Sequence, residues 1–334
     1  MNKAVNILLF AVLLLAAQAA DAQWVKQRVS TFAWLRDVYF LNETTGWIVG
    51  SDGTMLTTAD GGDTWKATPK FTNDTLLEIR FTDQNTGWLL CERNVYARGQ
   101  NATSYLRKTT DGGRTWERIE FADGGRERVT AIIFNHDGRG TAFGEGGYFY
   151  DLDQDGRTWK KSRTAIRYLL LGGSFSDGPS GAIAGAGGTL LFTQDSGRTW
   201  ENAMLTVPAE PRFNAVFLVS QRTGWAVGSG GAVYTTTGGG RSWRPQVSGT
   251  TADLTDVYFS GPRNGWAVGS GGTIIRTVNG GQNWSPVNSH VTHRLERITF
   301  NGTRGWAVGF GGTILSNGNS PAPTLTRPTI RPRS

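Results

Sequence analysis

Short stretches in which hydrophobic and polar residues alternate make up most of this chain, and glycine-rich turns separate them. Leu35–Phe40 and Leu254–Phe259 are two such stretches, and each ends in an aromatic residue. Side chains of a β-strand point alternately to opposite faces of the sheet, so a period of two predicts strands. The pattern therefore predicts an all-β protein built from many short strands.

The alternating stretches belong to a repeat. A glycine, two to four small or apolar residues and a glycine-rich turn recur seven times, with a tryptophan after the first glycine in five copies. The first glycines are those at positions 46, 87, 140, 181, 224, 265 and 305. Four predicted strands in about 42 residues are typical of a propeller blade, which buries its faces only against neighbouring blades. We expect a seven-bladed β-propeller with four-stranded antiparallel blades.

Both ends of the repeat region predict how the ring closes. The seventh unit ends after residues 314–316 without a fourth strand, whereas Trp24 near the N-terminus resembles the tryptophans that open fourth strands elsewhere. We expect the N-terminal strand to complete the last blade, which would cover two exposed sheet edges. The predicted propeller spans residues 23–317, and residues 318–334 form a flexible tail rich in proline and arginine.

Residues 1–22 have the features of a signal peptide. Lys3 precedes an apolar run, and Ala20-Asp21-Ala22 fits a small-x-small cleavage site. We expect export to the periplasm or the extracellular space. The apolar run is too short for a bilayer span, so no stable membrane insertion is expected. No cysteine follows it that could accept a lipid, and no arginine- and serine-rich transit leader is present.

A second motif precedes several predicted fourth strands and follows the Asp-box pattern Ser/Thr-x-Asp-x-Gly-x-Thr-Trp. It places Asp60, Asp111 and Asp195 in tight turns, whereas two other units have Gly238 and Asn279 at that position. In the third unit, Gln154 takes it. Because the carboxylate is missing from some copies, we interpret the box as a structural turn and not as a catalytic or calcium site.

Composition narrows the function classes. The 334 residues include 46 glycines and 13 tryptophans, and the net charge is +7. The hydrophobic content of 38% excludes disorder, and a single cysteine, Cys91, excludes a disulfide framework and leaves a buried packing role. His290 and His293 lack the carboxylate company of a metal site, so we expect no metal and no cofactor. The predicted export argues against nucleic-acid binding.

The blade motifs resemble those of the photosystem II stability/assembly factor family, from about Trp24 to Ser316. The resemblance rests on the repeated Leu-x-x-Val-x-Phe, Gly-Trp-Ala-Val-Gly, Gly-Gly-Thr-Ile-Ile and Asp-Gly-Gly-x-Thr-Trp segments. It implies a lumenal propeller that chaperones a reaction-centre protein and engages it through an arginine-rich face. In a photosynthetic host, the implied partner is a photosystem II reaction-centre precursor, and the implied compartment is the thylakoid lumen.

Arginines are the candidate binding residues, because several of them fall in predicted loops at one end of the blades. Eight residues form this predicted partner-binding set: Arg93, Arg98, Arg126, Arg128, Arg163, Arg167, Arg212 and Arg294. Together they would form a basic patch for an acidic or extended protein partner of a monomeric propeller. The alternative is scattered solvated arginines that acidic neighbours such as Glu92 and Glu127 offset.

Two function classes remain open. The first is a non-enzymatic protein-binding propeller that acts as a chaperone-like scaffold. The second is a secreted Asp-box glycoside hydrolase of the sialidase or xyloglucanase type, which would need paired carboxylates or a Tyr/Glu pair beneath an arginine triad. Glutamate is sparse in the candidate loops, so the first class is favoured and no catalytic residue is predicted.

Overall fold

The computed structural model describes residues 23–94, 103–121, 127–163 and 166–318. The predicted signal peptide and the tail after Gly318 lie outside these residues. The described residues form 29 strands in seven sheets, which are antiparallel apart from one strand pair, and the first blade strand of each sheet contacts those of the two neighbouring sheets. These contacts close a ring, which confirms the predicted all-β seven-bladed propeller.

The two inner strands of each blade carry most of the buried residues. The first strands, next to the ring axis, are β2 Leu35–Phe40, β6 Thr75–Phe81, β10 Val129–Phe134, β14 Leu170–Phe175, β19 Phe213–Leu218, β23 Leu254–Phe259 and β27 Leu295–Asn301. The second strands are β3 Gly46–Gly50, β7 Gly87–Glu92, β11 Gly140–Gly144, β15 Gly181–Gly185, β20 Gly224–Gly228, β24 Gly265–Gly269 and β28 Arg304–Gly309.

The outer strands are shorter and more exposed. The third strands are β4 Met55–Thr58, β8 Ser104–Thr109, β12 Tyr148–Leu152, β16 Leu190–Thr193, β21 Val233–Thr236, β25 Ile274–Thr277 and β29 Thr313–Asn317. The fourth strands are β5 Lys66–Ala67, β9 Glu117–Ile119, β13 Trp159–Arg163, β17 Glu201–Asn202, β22 Ser242–Gln246, β26 Ser285–Val287 and β1 Trp24–Lys26. Within the described ranges, four single-turn 3-10 helices join second to third strands, at Glu145–Gly147, Ser229–Gly231, Ser270–Gly272 and Phe310–Gly312.

The N-terminal strand completes the last blade, as the sequence predicts. Trp24 pairs with Asn317 and Lys26 with Leu315 in antiparallel register. Trp24 is 1% exposed, so the first described strand contributes to the core as well as to the sheet. One blade departs from four strands, because β18 Met204–Leu205 pairs in parallel with β22 and covers the outer edge of the fifth blade.

Aromatic sandwiches join the blades. Phe81 at the end of β6 stacks on Trp47 of the preceding blade, with ring centroids 4.4 Å apart, and meets the edge of Trp116 of its own blade. The same arrangement surrounds Phe40, Phe134, Phe259 and Phe300. The two repeated tryptophan positions therefore have different packing roles. The tryptophan of the second strand packs between blades, and the tryptophan next to the fourth strand packs within its own blade.

Every first strand has a register shift near its start. In β2 the shift lies between Leu35 and Asp37, and the equivalent residues of the other six blades show it too. A bulge bends the strand locally and re-aims its side chains. In four blades, the residue that follows the shift is charged: Asp37, Glu78, Asp256 and Arg297.

Candidate partner-binding face

One face of the ring is formed by the connections between blades and by the turns between second and third strands. In six of the seven blades, the residue just before the first strand accepts a backbone hydrogen bond from the residue that opens this turn, as from Ser229 N to Arg212 O at 2.9 Å. The same bond reaches Arg128 and Arg294 in their blades. We call this the upper face, and the opposite face, which carries the Asp boxes, the lower face. Three predicted binding residues therefore occupy one repeated position on the upper face.

Two of the predicted arginines on the second and third blades are paired with carboxylates. Arg128 donates to Glu92 Oε2 at 3.0 Å, so it bridges the two blades. The Arg93 guanidinium donates to both Glu120 oxygens at 2.9 and 3.1 Å and lies 4.9 Å from the centre of the Tyr105 ring. Hydrogen-bonded ion pairs with these carboxylates therefore fix the positions of both guanidinium groups.

Arg36 is a further arginine of the upper face that sequence reasoning missed. Burial lowers the pKa of Arg36, Glu296 and Glu92 raise it, and Arg128 and Arg294 lower it further. Arg36 and Arg294 both approach Glu296 Oε1, at 3.8 and 2.8 Å. The structure therefore brings these two arginines, from the first and seventh blades, around one carboxylate.

The other predicted residues are more dispersed. Arg167 and Arg212 are exposed, and Arg212 donates to Asn214 Oδ1 at 2.9 Å. Arg212 belongs to the fifth blade, so the sixth blade separates it from Arg294. The backbone of Arg163 ends strand β13, whereas its side chain, Arg98 and Arg126 lie outside the described residues.

A second charged cluster lines the central channel. The channel encloses a cavity of about 310 Å³, and Tyr39, Phe217 and Tyr258 form part of its wall. Asp37, Arg80, Asp256 and Arg297 line the cavity, and Glu78 pairs with both arginines. These five charged residues come from the first strands of four blades. Four of them occupy the third position of their strand or its bulge equivalent. The sequence does contain a signal for this cluster, namely charged residues at inward positions of buried strands. The repeated strand motif, however, is defined by its apolar positions and does not identify them.

Arg297 links carboxylates of three other blades. Its guanidinium nitrogens lie 3.2 Å from Asp37 Oδ1, 3.4 Å from Glu78 Oε1 and 3.8 Å from Asp256 Oδ1. Arg80 also pairs with Asp37 and Glu78. Burial lowers the pKa of Arg297, but the three carboxylates outweigh burial and raise it above its usual value. This cluster ties blades six, seven, one and two together.

Each channel carboxylate also accepts a backbone hydrogen bond from the next blade. Asp37 Oδ2 accepts from Ile79 N at 2.9 Å, and Asp256 Oδ2 accepts from Ile298 N at 2.9 Å. Glu78 Oε2 accepts from the next inner strand in the same way, at 2.7 Å. Burial nevertheless raises the pKa of Asp256 to about 6, against the opposing charge of Arg297. The hydrogen bonds and ion pairs of these carboxylates therefore connect neighbouring blades.

The Asp boxes behave as turns. Asp60 Oδ1 accepts from Thr58 Oγ1 at 2.7 Å and from Thr64 N at 2.9 Å, and Oδ2 accepts from Thr64 Oγ1 at 2.5 Å. In the third blade, Asp155 rather than Gln154 supplies the carboxylate, since it accepts from Thr158 N at 2.8 Å and Thr158 Oγ1 at 2.5 Å. These bonds close the turns within the box itself.

Within the described ranges, no group of three or more His, Cys, Asp or Glu side chains could hold a metal ion. Cys91 is buried, as expected, and burial raises the pKa of its thiol to about 12. None of the helices in this part of the chain combines the length and apolar character needed to cross a membrane.

Comparisons with known proteins agree with this architecture. The chain is 29% identical over 271 residues to the photosystem II assembly lipoprotein Ycf48 of Picosynechococcus, covering 68% of this chain and 79% of that protein. It is 27% identical over 212 residues to the chloroplastic photosystem II stability/assembly factor HCF136 of Arabidopsis thaliana, covering 59% of this chain and 52% of that protein. A solved structure of YCF48 bound to a D1 peptide has the same fold, with a TM-score of 0.72, 20% identity and coverage of 92% of this chain and 100% of that one.

The family model for photosynthesis system II assembly factor YCF48 matches residues 16–119, 151–249 and 245–321. These matched ranges take in most of the propeller, including strand β2 with Arg36, whereas Arg128 lies in residues 120–150 between the matched ranges. The relatives are named as assembly factors and not as enzymes, in agreement with the expectation of a non-enzymatic protein. The chain belongs to the photosynthesis system II assembly factor YCF48 family.

Proposed function

We propose that this chain is an exported, monomeric scaffold that binds a partner protein in a chaperone-like role through the arginines of its upper face. The observation that carries the proposal is that Arg36 and Arg294 share the carboxylate of Glu296, at 3.8 and 2.8 Å, with Arg128 on the same face of the ring. A related propeller of the same fold was solved with a D1 peptide, which supports an extended polypeptide as the ligand. In a photosynthetic host, the partner would be a photosystem II reaction-centre precursor.

The pairing of these arginines favours recognition over nonspecific attraction. Glu296 lies 2.8 Å from Arg294 Nε, and Glu92 lies 3.0 Å from Arg128. Carboxylates that fix a guanidinium fork reduce the side-chain entropy lost on binding. The remaining N–H groups can then meet carboxylates or carbonyl groups of a partner in a defined geometry.

A charge-reversal experiment tests the proposal without disturbing these ion pairs. Arg167 and Arg212 are exposed on the upper face, so R167E/R212E should fold normally. We expect this variant to bind a fluorescently labelled D1 peptide about tenfold more weakly, because two charges at the rim change sign. The affinity of the unmodified protein should also fall as salt concentration rises.

Arg114 and Arg198 are the matched control, since both are exposed on Asp-box turns of the lower face. R114E/R198E changes the net charge by the same amount, so it separates a local face from long-range attraction. Equal loss of binding in both double variants would reject the upper face as the site. Unchanged binding in R167E/R212E would reject the contribution of these arginines.

A further inference from the structure

Exposed aromatic side chains cluster on the upper face where the ring closes. Phe32 is 93% exposed and Phe310 is 48% exposed, and Phe310 meets Trp34 edge-on with ring centroids 5.6 Å apart. The backbone beside Phe32 packs against the Phe310 turn, because Gly312 N donates to Ala33 O at 2.8 Å. We call Phe32, Trp34 and Phe310 the aromatic patch. Trp34 is also the one tryptophan that neither repeated position explains.

The fold itself does not require an aromatic residue at position 310. The equivalent residues of four other blades are polar, namely Ser51, Glu145, Ser229 and Ser270, whereas the fourth blade has Ala186. Two of them stabilise the connection, because Ser51 Oγ accepts from Trp34 N at 2.9 Å and Ser229 Oγ accepts from Arg212 N at 3.0 Å. Phe310 cannot make this bond and leaves a large ring in water. The seventh blade therefore gives up a turn-stabilising contact at this position and gains an exposed apolar surface.

Position 32 shows the same departure from the repeat. It lies three residues before the first buried residue of its inner strand, and the equivalent residues of four other blades are polar: Arg167, Glu210, Thr251 and Thr292. Each of these connections is exposed, so a polar side chain is the ordinary solution. Two independent departures from the repeat thus meet on one patch.

Cations border the aromatic patch in a fixed arrangement. The Arg36 guanidinium lies 3.7 Å from the centre of the Trp34 ring, and Trp34 Nε1 donates to Glu296 Oε1 at 2.9 Å. Arg294 Nε donates to the same oxygen at 2.8 Å, and Arg36 Nε is buried without a hydrogen-bond partner among the described residues. Glu296 therefore orients one tryptophan and two arginines, and the set keeps a net positive charge.

We propose that the aromatic patch, with Arg36 and Arg294, docks an extended segment of a partner polypeptide in which an apolar or aromatic side chain stands next to acidic side chains. Aromatic residues and arginine are the types most enriched at energetically important centres of interfaces. The positive border selects acidic residues by charge complementarity. This inference rests on the proposed function, and it identifies the aromatic patch as the part of the upper face that anchors the partner.

Charge and position both disfavour the chain's own C-terminal segment as the occupant. Strand β29 runs from the upper to the lower face, because Thr313 pairs with Gly309 and Asn317 with Gly305. The chain therefore leaves the last blade at the lower face. The sequence beyond it carries Arg327, Arg331 and Arg333, which Arg36 and Arg294 would repel.

Three designed peptides test the chemistry of the ligand. Each is a labelled twelve-residue Gly/Ser peptide with a central Glu-Phe-Glu, Glu-Ser-Glu or Gln-Phe-Gln, and binding to the full mature chain is followed by fluorescence anisotropy. We expect Glu-Phe-Glu to bind about tenfold more tightly than either of the others, because it alone supplies both the ring and the charges. Equal affinities for the three peptides, or no binding of Glu-Phe-Glu, would overturn the inference.

The variant F32T/F310S tests the location, since it installs residues found at the same positions of the sixth blade, Thr251 and Ser270. It should retain the thermal stability of the unmodified protein and lose the preference for Glu-Phe-Glu over Glu-Ser-Glu. V247S is the matched control, because Val247 is 84% exposed on another blade, and it should keep the preference. A preference that persists in F32T/F310S would overturn the assignment to this patch.

The same variants separate this inference from the proposed function. If R167E/R212E weakens D1-peptide binding while F32T/F310S changes neither D1 nor Glu-Phe-Glu binding, the arginine-rich face stands and the aromatic anchor is rejected. If Glu-Phe-Glu binding depends on the aromatic patch and D1 binding does not respond to charge reversal, the anchor stands and the broader face is rejected.

Discussion

At the scale of single residues, the Asp box shows how a repeated turn tolerates loss of its carboxylate. Asp195 accepts hydrogen bonds from Thr193 Oγ1, Thr199 N and Thr199 Oγ1 at 2.6–2.9 Å. Asn279 keeps two equivalent acceptor contacts through its amide oxygen, at 2.9 and 3.0 Å. Gly238 keeps none, so the fifth blade holds this turn without the side-chain acceptor.

Restoring the carboxylate should therefore stabilise the protein. Gly238 does not adopt positive φ, and a Cβ placed on it would meet only Ser242 Oγ at 4.0 Å. We expect G238D to raise the free energy of unfolding by about 1 kcal/mol, from new hydrogen bonds and lower entropy of the unfolded chain. Thermal unfolding at pH 7 measures the gain. G239D is the control and should destabilise, because Gly239 has φ of +68°.

The gain in G238D should also depend on pH. Slight burial raises the pKa of Asp60, but hydrogen bonds from Thr64 and Thr58 outweigh it and lower the pKa to about 2. A carboxylate whose pKa falls on folding stabilises the native state above its unfolded pKa, and this contribution is lost as pH falls towards the folded pKa. The advantage of G238D should thus shrink between about pH 4 and pH 2. A constant advantage across that range would contradict a hydrogen-bonded carboxylate.

At the scale of elements, the sequence predicts strands well and their irregularities poorly. The alternation and the repeated tryptophans locate the four strands of each blade and the closing role of Trp24. Strand β18 is absent from the prediction, because Met204 and Leu205 match no repeated motif and pair only with a neighbouring edge. The bulge of each inner strand is likewise set by pairing, which a period-two pattern does not encode.

The closing strand provides a matched pair of residues that tests the contribution of the core. Trp24 is 1% exposed and meets Phe300 edge-on, whereas its neighbour Val25 is 57% exposed in the same strand. We expect W24A to lower the free energy of unfolding by about 3–5 kcal/mol, because it leaves a large cavity in the last blade. V25A should cost under about 0.5 kcal/mol. Chemical denaturation compares the two, and similar losses would mean that strand pairing, and not the tryptophan, closes the ring.

At the scale of the whole molecule, the partner-binding region and the channel cluster depend on ring closure. Arg36 and Arg128 lie far apart in the sequence from Arg294, and Arg297 reaches Asp37 only because the seventh blade lies beside the first. The rule that the connections between blades share one face predicts Arg128 and Arg294 on the same face, and both occupy the same backbone position there. Their role in partner binding stays a prediction. The sequence also indicates Glu92 as an acidic neighbour, but not its pairing with Arg128, nor Glu296 or Arg36, since those depend on rotamers and on the bulge of each first strand.

The channel cluster makes the stability of the whole ring depend on pH through Asp256. Its pKa is about 6 in the folded protein, raised by burial, against about 3.9 for an unperturbed aspartate. The native state therefore binds more protons than the unfolded state between about pH 4 and pH 6, so ionisation of Asp256 opposes folding as pH rises through that window. The full loss of unfolding free energy from Asp256 ionisation is present above about pH 6 and absent below about pH 4.

D256N removes this ionisation while its amide oxygen can still accept the hydrogen bond from Ile298 N, and Arg297 keeps Asp37 and Glu78 as partners. The difference in free energy of unfolding, D256N minus unmodified protein, should become more positive by about 2–3 kcal/mol from pH 4 to pH 8. D60N is the control of opposite sign: the pKa of Asp60 is lowered to about 2, so its loss should cost more at neutral than at acid pH. Urea unfolding at a series of pH values measures both differences. Parallel curves for D256N and the unmodified protein would show that Asp256 stays ionised in the channel, held by Arg297 of the neighbouring seventh blade.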